Sequence, residues 1–382
     1  MTAFAPAVAM RLALREGARG FGFVAPNPPV GCVIVDAAGR LLSSGYHRRD
    51  GGPHAEIEAL DAISDRGRLQ GARVYVTLEP CAHAGRTGSC ARALAQLPIA
   101  DVVYALDDPN PLVAGAGARM LREAGISARS LAECPEIAER FELIADAEDL
   151  AENFLCNMRT GRPFVSLKIA TTLDGQMATV SGESKWITGE LARLRGHGLR
   201  AAHDAVLIGR RTFELDDPGL DVRIPEFSGS RAAVLLDPSG RTLGALASSA
   251  LLKARPPESI YVVVGPEAPA SGAGATVLRV PLEAGGGFEV EALLAELWRA
   301  GLRSVLVEGG ARTFAAFLGP SRPMAHRLHA FIAPMVLGSA HGLPWSAGFG
   351  FPSLGQALRL KRVKIEALGQ DVHVTGRVDV LV

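Results

Sequence analysis

The chain runs twice through the same alternation, short β-rich runs separated by helical patterns, with a break between the two passes. In the first pass the runs are "VGCVIVD", "RLLSSGYH", "RVYVTL" and "ADVVYAL", with helical patterns at 54–65, 90–97 and 116–124. From Pro135 to Met158 the sequence keeps a helical period, then stops at "RTGRP", where Gly161 and Pro163 mark a boundary. The second pass takes up "FVSLKIATTLDG", "DAVLIG", "RAAVLLD", "SIYVVVG" and "SVLVEGG", and closes on "RVKIEALGQDVHVTGRVDV", which reads as a hairpin at a sheet edge. Strands that alternate with helices bury their apolar faces as layers, so both halves are expected to be α/β. The predicted division is a domain over 1–150 and another over 160–382, with 265–287 as surface loop holding one short strand. At 48% apolar residues, both have enough material for a core.

Charge narrows the partner. Lysines and arginines number 40 and aspartates and glutamates 40, so no net field draws a polyanion such as DNA or RNA. A small-molecule substrate is expected, and no nucleic acid. The N-terminal "MTAFAPAVAMRLALREG" is interrupted by charge too soon for a signal peptide, and no apolar run approaches the roughly 20 residues of a membrane span. Five cysteines in 382 residues make a poor disulfide framework, which points to a reducing cytoplasm. Cys32, Cys134 and Cys156 have no partner at metal spacing and read as structural; Cys81 and Cys90 remain.

"PHAEIEAL" places His54 and Glu56 two apart, and "TLEPCAHAGRTGSC" brings Cys81 and Cys90 after a strand. This resembles the zinc deaminase pattern H-x-E followed by P-C-x-x-C, in which one His and two Cys hold the metal and the Glu moves protons. Three protein ligands leave zinc's fourth position to water, whose pKa falls to roughly 7. A carboxylate beside it can carry the water's proton to the departing amine. Eight residues separate the cysteines here instead of two, so "AHAGRTGS" must loop out before Cys90 opens its helix. Glu58 is expected to face elsewhere, exposed or paired. A non-enzymatic protein with structural zinc would need four ligands, and only three stand at suitable spacing.

"PNPPVGCVIV", "GYH", "PHAEIEAL", "TLEPCAHAGRTGSC" and "DPNPLVAGAG" follow in this order, and together they resemble the deaminase half of the bifunctional riboflavin biosynthesis deaminase/reductase family. The resemblance implies a cytidine deaminase-like α/β/α domain. It also implies that Asn27, His47, Arg86, Asp108 and Asn110 line a site for a pyrimidine and a ribose phosphate. Asn27 between prolines, and Asp108 with Asn110, are equally residues that form turns.

The second half lacks a G-x-G-x-x-G after a strand. "AVLIGRRTF" and "SVLVEGGARTFAAFL" instead each run from strand through glycine to helix, where backbone N–H groups can receive a pyrophosphate. Both turns resemble those of dihydrofolate reductase, and the order "LKIATTLDGQMA", "SGESKWIT", "GRRTF", "DDPGLDVR", "VEGGARTF" is similar to the reductase domain of the same riboflavin family. The resemblance implies that Ala170, Trp186, Thr212, Asp216, Gly310, Ala311, Arg312 and Thr313 touch NADPH. Ser184, Arg200, Leu220, Arg223 and Glu308 would hold the substrate. Lys168, the one lysine of its strand, is expected to face the nicotinamide cleft and the ribose, and is equally what a plain strand edge would carry. Arg200 is also what a solvated helix face would carry. Arg210 or Arg211 is a candidate to pair the 2′-phosphate of NADPH.

The expectation is therefore a homo-oligomeric, cytoplasmic enzyme using Zn2+ and NADPH. It would remove an amino group from a phosphoribosylaminopyrimidine and then reduce the ribosyl to a ribityl side chain. The competing reading is a nucleic-acid or nucleoside deaminase with a degenerate reductase-like domain.

Overall fold

Five short strands, β1 (Gly31–Val35), β2 (Leu41–Tyr46), β3 (Arg73–Val76), β4 (Asp101–Tyr104) and β5 (Ser127–Ser130), form the first sheet in the order β2-β1-β3-β4-β5. The β1 strand is antiparallel to β2 and β3, while β3, β4 and β5 are parallel. The computed structural model describes residues 3–82, 88–110, 114–225, 227, 230–268, 272, 274–319 and 323–379. It divides the chain into two compact units, 1–161 and 162–382.

Side chains alternate across each strand, and the first sheet is covered on both faces. Cys32, Ile34, Val74 and Val76 pack under the helices Ala55–Asp61, Cys90–Ala95 and Ala116–Glu123 through Ala59, Leu94 and Leu121. Val33, Val35 and Tyr75 meet Met10 of the helix Pro6–Ala18 and Leu143 of the helix Arg140–Leu150. Two expected boundaries change. The helix of 54–65 ends at Asp61, and the helical run from Pro135 becomes a turn followed by two helices, Arg140–Leu150 and Glu152–Thr160. Leu143, Ala147, Ala151 and Leu155 all pack on the core across the break at Ala151, so their four-residue spacing reads as one helix in the sequence.

The second unit is built on β6 (Phe164–Thr172), β7 (Gln176–Thr179), β8 (Ala205–Gly209), β9 (Ala232–Leu236), β10 (Ile260–Val264), β11 (Thr276–Arg279), β12 (Ser304–Val307), β13 (Arg327–Ala333), β14 (Gly342–Pro344), β15 (Leu360–Leu368) and β16 (Asp371–Val378). Nine of them form one sheet, β11-β10-β9-β8-β12-β6-β13-β16-β15, and β7 pairs with β14. The first seven in that order are parallel. The closing β15–β16 hairpin is antiparallel and forms the expected edge.

From β6 the chain goes to β8 and outward to β11, then returns to place β12 between β8 and β6. The carboxyl ends of β8, β12 and β6 therefore lie side by side where the direction of winding reverses. Open parallel sheets bind ligands at such points. Among the described residues no helix is long and apolar enough to cross a membrane.

Candidate active sites

In the first unit three loops converge on one face. His54 caps the helix Ala55–Asp61, Cys81 follows β3, and Cys90 is the first residue of its helix, behind a Ser89 whose hydroxyl accepts from the Arg92 N–H at 3.2 Å. His54 Nδ1 lies 3.6 Å from Cys81 Sγ and 3.4 Å from Cys90 Sγ, and the three ligand atoms fall within 4.8 Å of one another. Zinc bonds of about 2.3 Å to sulfur and 2.0–2.1 Å to nitrogen, set at tetrahedral angles, give sulfur–nitrogen edges of about 3.6 Å. The donor set thus fits zinc in both chemistry and spacing.

Cys81 is drawn down to about 4, chiefly by its hydrogen bond with Cys90, while that neighbouring sulfur pushes Cys90 up. A helix N-terminus at Cys90 adds a field that favours thiolate. Glu56 is 3% exposed, and its Oε2 has no partner among the described residues. Burial, with the Cys81 sulfur adding to it, raises its pKa to about 7. Glu58 turns outward to accept from Arg48 Nε at 2.8 Å.

Beside the cluster, the His47 ring stands edge-on to His54 with centroids 5.3 Å apart. Asn27 Nδ2 lies 3.4 Å from His47 Nε2 and 3.0 Å from Asp50 Oδ1. Asp108 closes a turn by accepting from the Asn110 N–H at 2.9 Å. Arg86 lies outside the described residues.

The sequence reading passed over Glu79. It is 4% exposed, and its carboxylate accepts from the backbone N–H groups of Gly115 and Ala118 at 3.0 Å each and of Asp108 at 3.4 Å. It therefore ties the Cys81 turn to the loop that follows β4. Its place in "TLEP", next to a ligand turn, was the available signal.

In the second unit the two glycine turns meet. Gly209 precedes the helix Arg210–Asp216 and Gly310 precedes the helix Ala311–Leu318. A Cβ at Gly209 would sit 2.8 Å from Thr313 Oγ1, and one at Gly309 would sit 2.5 Å from Thr313 Cβ. Both positions are glycine because the Thr313 side chain wedges between them. At Gly310 the nearest atom to an added Cβ is Thr212 Oγ1 at 3.9 Å, so the start of that helix is open to a ligand. This arrangement fits a dinucleotide's phosphates. Arg210 leans on Glu214 at 3.7 Å and Asp237 at 3.9 Å, whereas Arg211 is exposed.

The remaining expected residues gather around Glu308. Arg200 grips its carboxylate with Nε at 2.6 Å and Nη2 at 2.9 Å, and Lys168 Nζ stands off at 3.9 Å. Burial alone would push Glu308 up, but Arg200 and Lys168 outweigh it and hold it at about 2. Burial pushes Lys168 down despite Glu308. The distances reconcile the two, because Arg200 is the close partner and Lys168 the loose one. Arg200 also donates to Asp221 O at 3.0 Å.

Leu220 is 3% exposed, in the core with Ile208 and Phe213, at a φ of 48° that Leu rarely adopts. Any contact it makes with substrate falls to its backbone. Buried Arg255, which the sequence reading also missed, donates to the neighbouring Gly219 carbonyl and holds that loop. Trp186 is 66% exposed under the Arg193 guanidinium, Arg223 is exposed, and Ala170, Ser184 and Asp216 are half-buried.

Fold and site together define a zinc deaminase domain joined to a second α/β domain with a dinucleotide-type edge. Comparison with known proteins agrees: residues 6–106 match the cytidine and deoxycytidylate deaminase zinc-binding region, and 163–374 match the RibD C-terminal domain. The riboflavin biosynthesis protein RibD of Aquifex aeolicus is 35% identical over 370 residues, 96% of each chain. The RibD structure of Acinetobacter baumannii superposes with a TM-score of 0.79 at 35% identity, covering 97% of this chain and 98% of that one. A Thermotoga maritima structure, described as a diaminohydroxyphosphoribosylaminopyrimidine deaminase/5-amino-6-(5-phosphoribosylamino)uracil reductase, matches at 0.78 and 32% over 97% of both. The chain belongs to the RibD family of bifunctional riboflavin biosynthesis enzymes, with a zinc-binding deaminase domain and an NADPH-type reductase domain.

Proposed function

We propose that the first unit hydrolyses the 2-amino group from 2,5-diamino-6-(5-phosphoribosylamino)pyrimidin-4-one, and that the second reduces the ribosyl side chain of the product to ribityl with NADPH. The observation that carries the first step is a tetrahedrally spaced His54, Cys81 and Cys90 set with Glu56 nearby, whose Oε2 has no partner among the described residues. When bound, zinc brings the pKa of water toward neutrality. Glu56 then takes the attacking water's first proton at Oε2 and passes it to the ring nitrogen, and takes the second, from the added hydroxyl, and passes it to the amine that leaves as ammonia. Its buried, near-neutral carboxyl suits both directions of transfer. Asn27, His47, Arg86, Asp108 and Asn110 bind the pyrimidine and its ribose phosphate.

In the second unit NADPH supplies the hydride. Ala170, Trp186, Thr212, Asp216 and the Gly310–Thr313 turn hold the nucleotide. Ser184, Leu220 and Arg223 hold the substrate. Arg200 fixes Glu308, which with Lys168 faces the ribose. The exposed Val363 and Ile365 of the edge strand β15 support a homo-oligomer, and five free thiols support the cytoplasm. The charge balance supports a small substrate without nucleic acid. The test is a zinc determination with ammonia release from the diaminopyrimidine and NADPH consumption on the deaminated product. A zinc-free chain, or one active on neither compound, would refute the reading.

A further inference from the structure

Asp50 lies in "GYHRRDGGPH", where it looks like a turn residue, yet its carboxylate reaches back 23 positions to Asn27. Three hydrogen bonds fix what Asn27 offers. The Pro53 carbonyl can only accept, so His47 Nδ1, 2.9 Å away, carries the hydrogen. His47 Nε2 is then the acceptor of a neutral ring. The Asp50 carboxylate also only accepts, so the Asn27 atom 3.0 Å from Oδ1 is the amide nitrogen. The second hydrogen on that nitrogen turns to His47 Nε2 at 3.4 Å. Both Asn27 donors are thereby used inside the protein. Asn27 Oδ1 is left without a partner among the described residues, on a half-buried residue beside the ring that packs on His54.

We infer that Asp50 is a positioning residue of the deaminase site, holding the Asn27 amide so that its carbonyl oxygen faces the substrate. An acceptor held there selects a ring edge that carries N–H groups. A flipped amide would set donor against donor. This rests on the deamination proposed above, whose diaminopyrimidine bears such N–H groups. Asp50 itself is exposed, and its hydrogen bond to the site is the one that holds Asn27 Nδ2.

The test is a double-mutant cycle on the full-length zinc protein, with ammonia release as the readout. Asp50→Ala should raise KM for the diaminopyrimidine about tenfold, the size of one lost hydrogen bond to a charged group. Zinc content, kcat and melting temperature should stay unchanged. In an Asn27→Ala background the same substitution should shift KM less than twofold, because the group it orients is gone. Asp50→Asn, which keeps an acceptor oxygen, should fall between. An unchanged KM in Asp50→Ala, an equal shift in both backgrounds, or loss of zinc would each overturn the assignment. A wild-type chain that released no ammonia would instead refute the deamination reading on which it stands.

Discussion

At the scale of single residues, a buried carboxylate oxygen with no partner costs free energy unless something meets it in the working state, and Glu56 Oε2 has no partner among the described residues. Glu56→Gln should therefore keep zinc and the fold while deamination falls on the order of 10²- to 10⁴-fold, because an amide cannot take up a proton there. Ammonia release near the wild-type rate would remove Glu56 from the chemistry. Cys81→Ser and Cys90→Ser should each lose zinc, which elemental analysis reads directly. These three residues and His54 were legible in the sequence because few side chains can do metal chemistry and their order is fixed. Asp50, Glu79 and Arg255 were not. Each acts on a partner that only the fold brings near, as when Glu79 accepts from Ala118, 39 positions away.

Among the elements, the turn before the helix Ala311–Leu318 gives the cleanest probe of the cofactor site. Gly310 has φ −75° and ψ 177°, which any residue adopts, and an added Cβ would meet only an ordinary contact, Thr212 Oγ1 at 3.9 Å. Gly310→Val should thus fold normally, weaken NADPH binding steeply in a titration, and leave deamination unchanged. Unaltered affinity would take this turn out of the site. Most strands of both sheets were legible from their β-rich runs, but β5, β13 and the helix Pro6–Ala18 were not, the helix having been read only for what it lacks. The polar interior of the second sheet was also hidden. His203, His326, His329 and His373 are all held below the usual histidine value by burial, His326 at about 4. A folded-state value below the unfolded one means protonation favours unfolding. Their contribution is complete above about pH 6.5 and is lost as pH falls toward 4. The melting temperature of the second unit should drop across that window, and a flat profile would show these rings to be accessible to protons.

For the whole molecule, each of the two units, 1–161 and 162–382, has its own sheet and cores. Produced separately, the first piece should bind zinc and release ammonia without NADPH. The second should oxidise NADPH only with the deaminated compound. A folded second piece that neither binds nor oxidises NADPH would mean its site draws on the other unit. The zinc ligands carry one more consequence. His54 and Cys81 are 27 positions apart, and His54 and Cys90 are 36. A metal held by all three is a cross-link that closes two long loops of the chain, and the entropy of such closure grows with loop length. Bound zinc would thus hold the first unit folded, because the three ligands come together only in the folded state, beyond any part it plays in chemistry. Chelation should split thermal unfolding into an early transition confined to residues 1–161 and a later one at the unchanged temperature of 162–382.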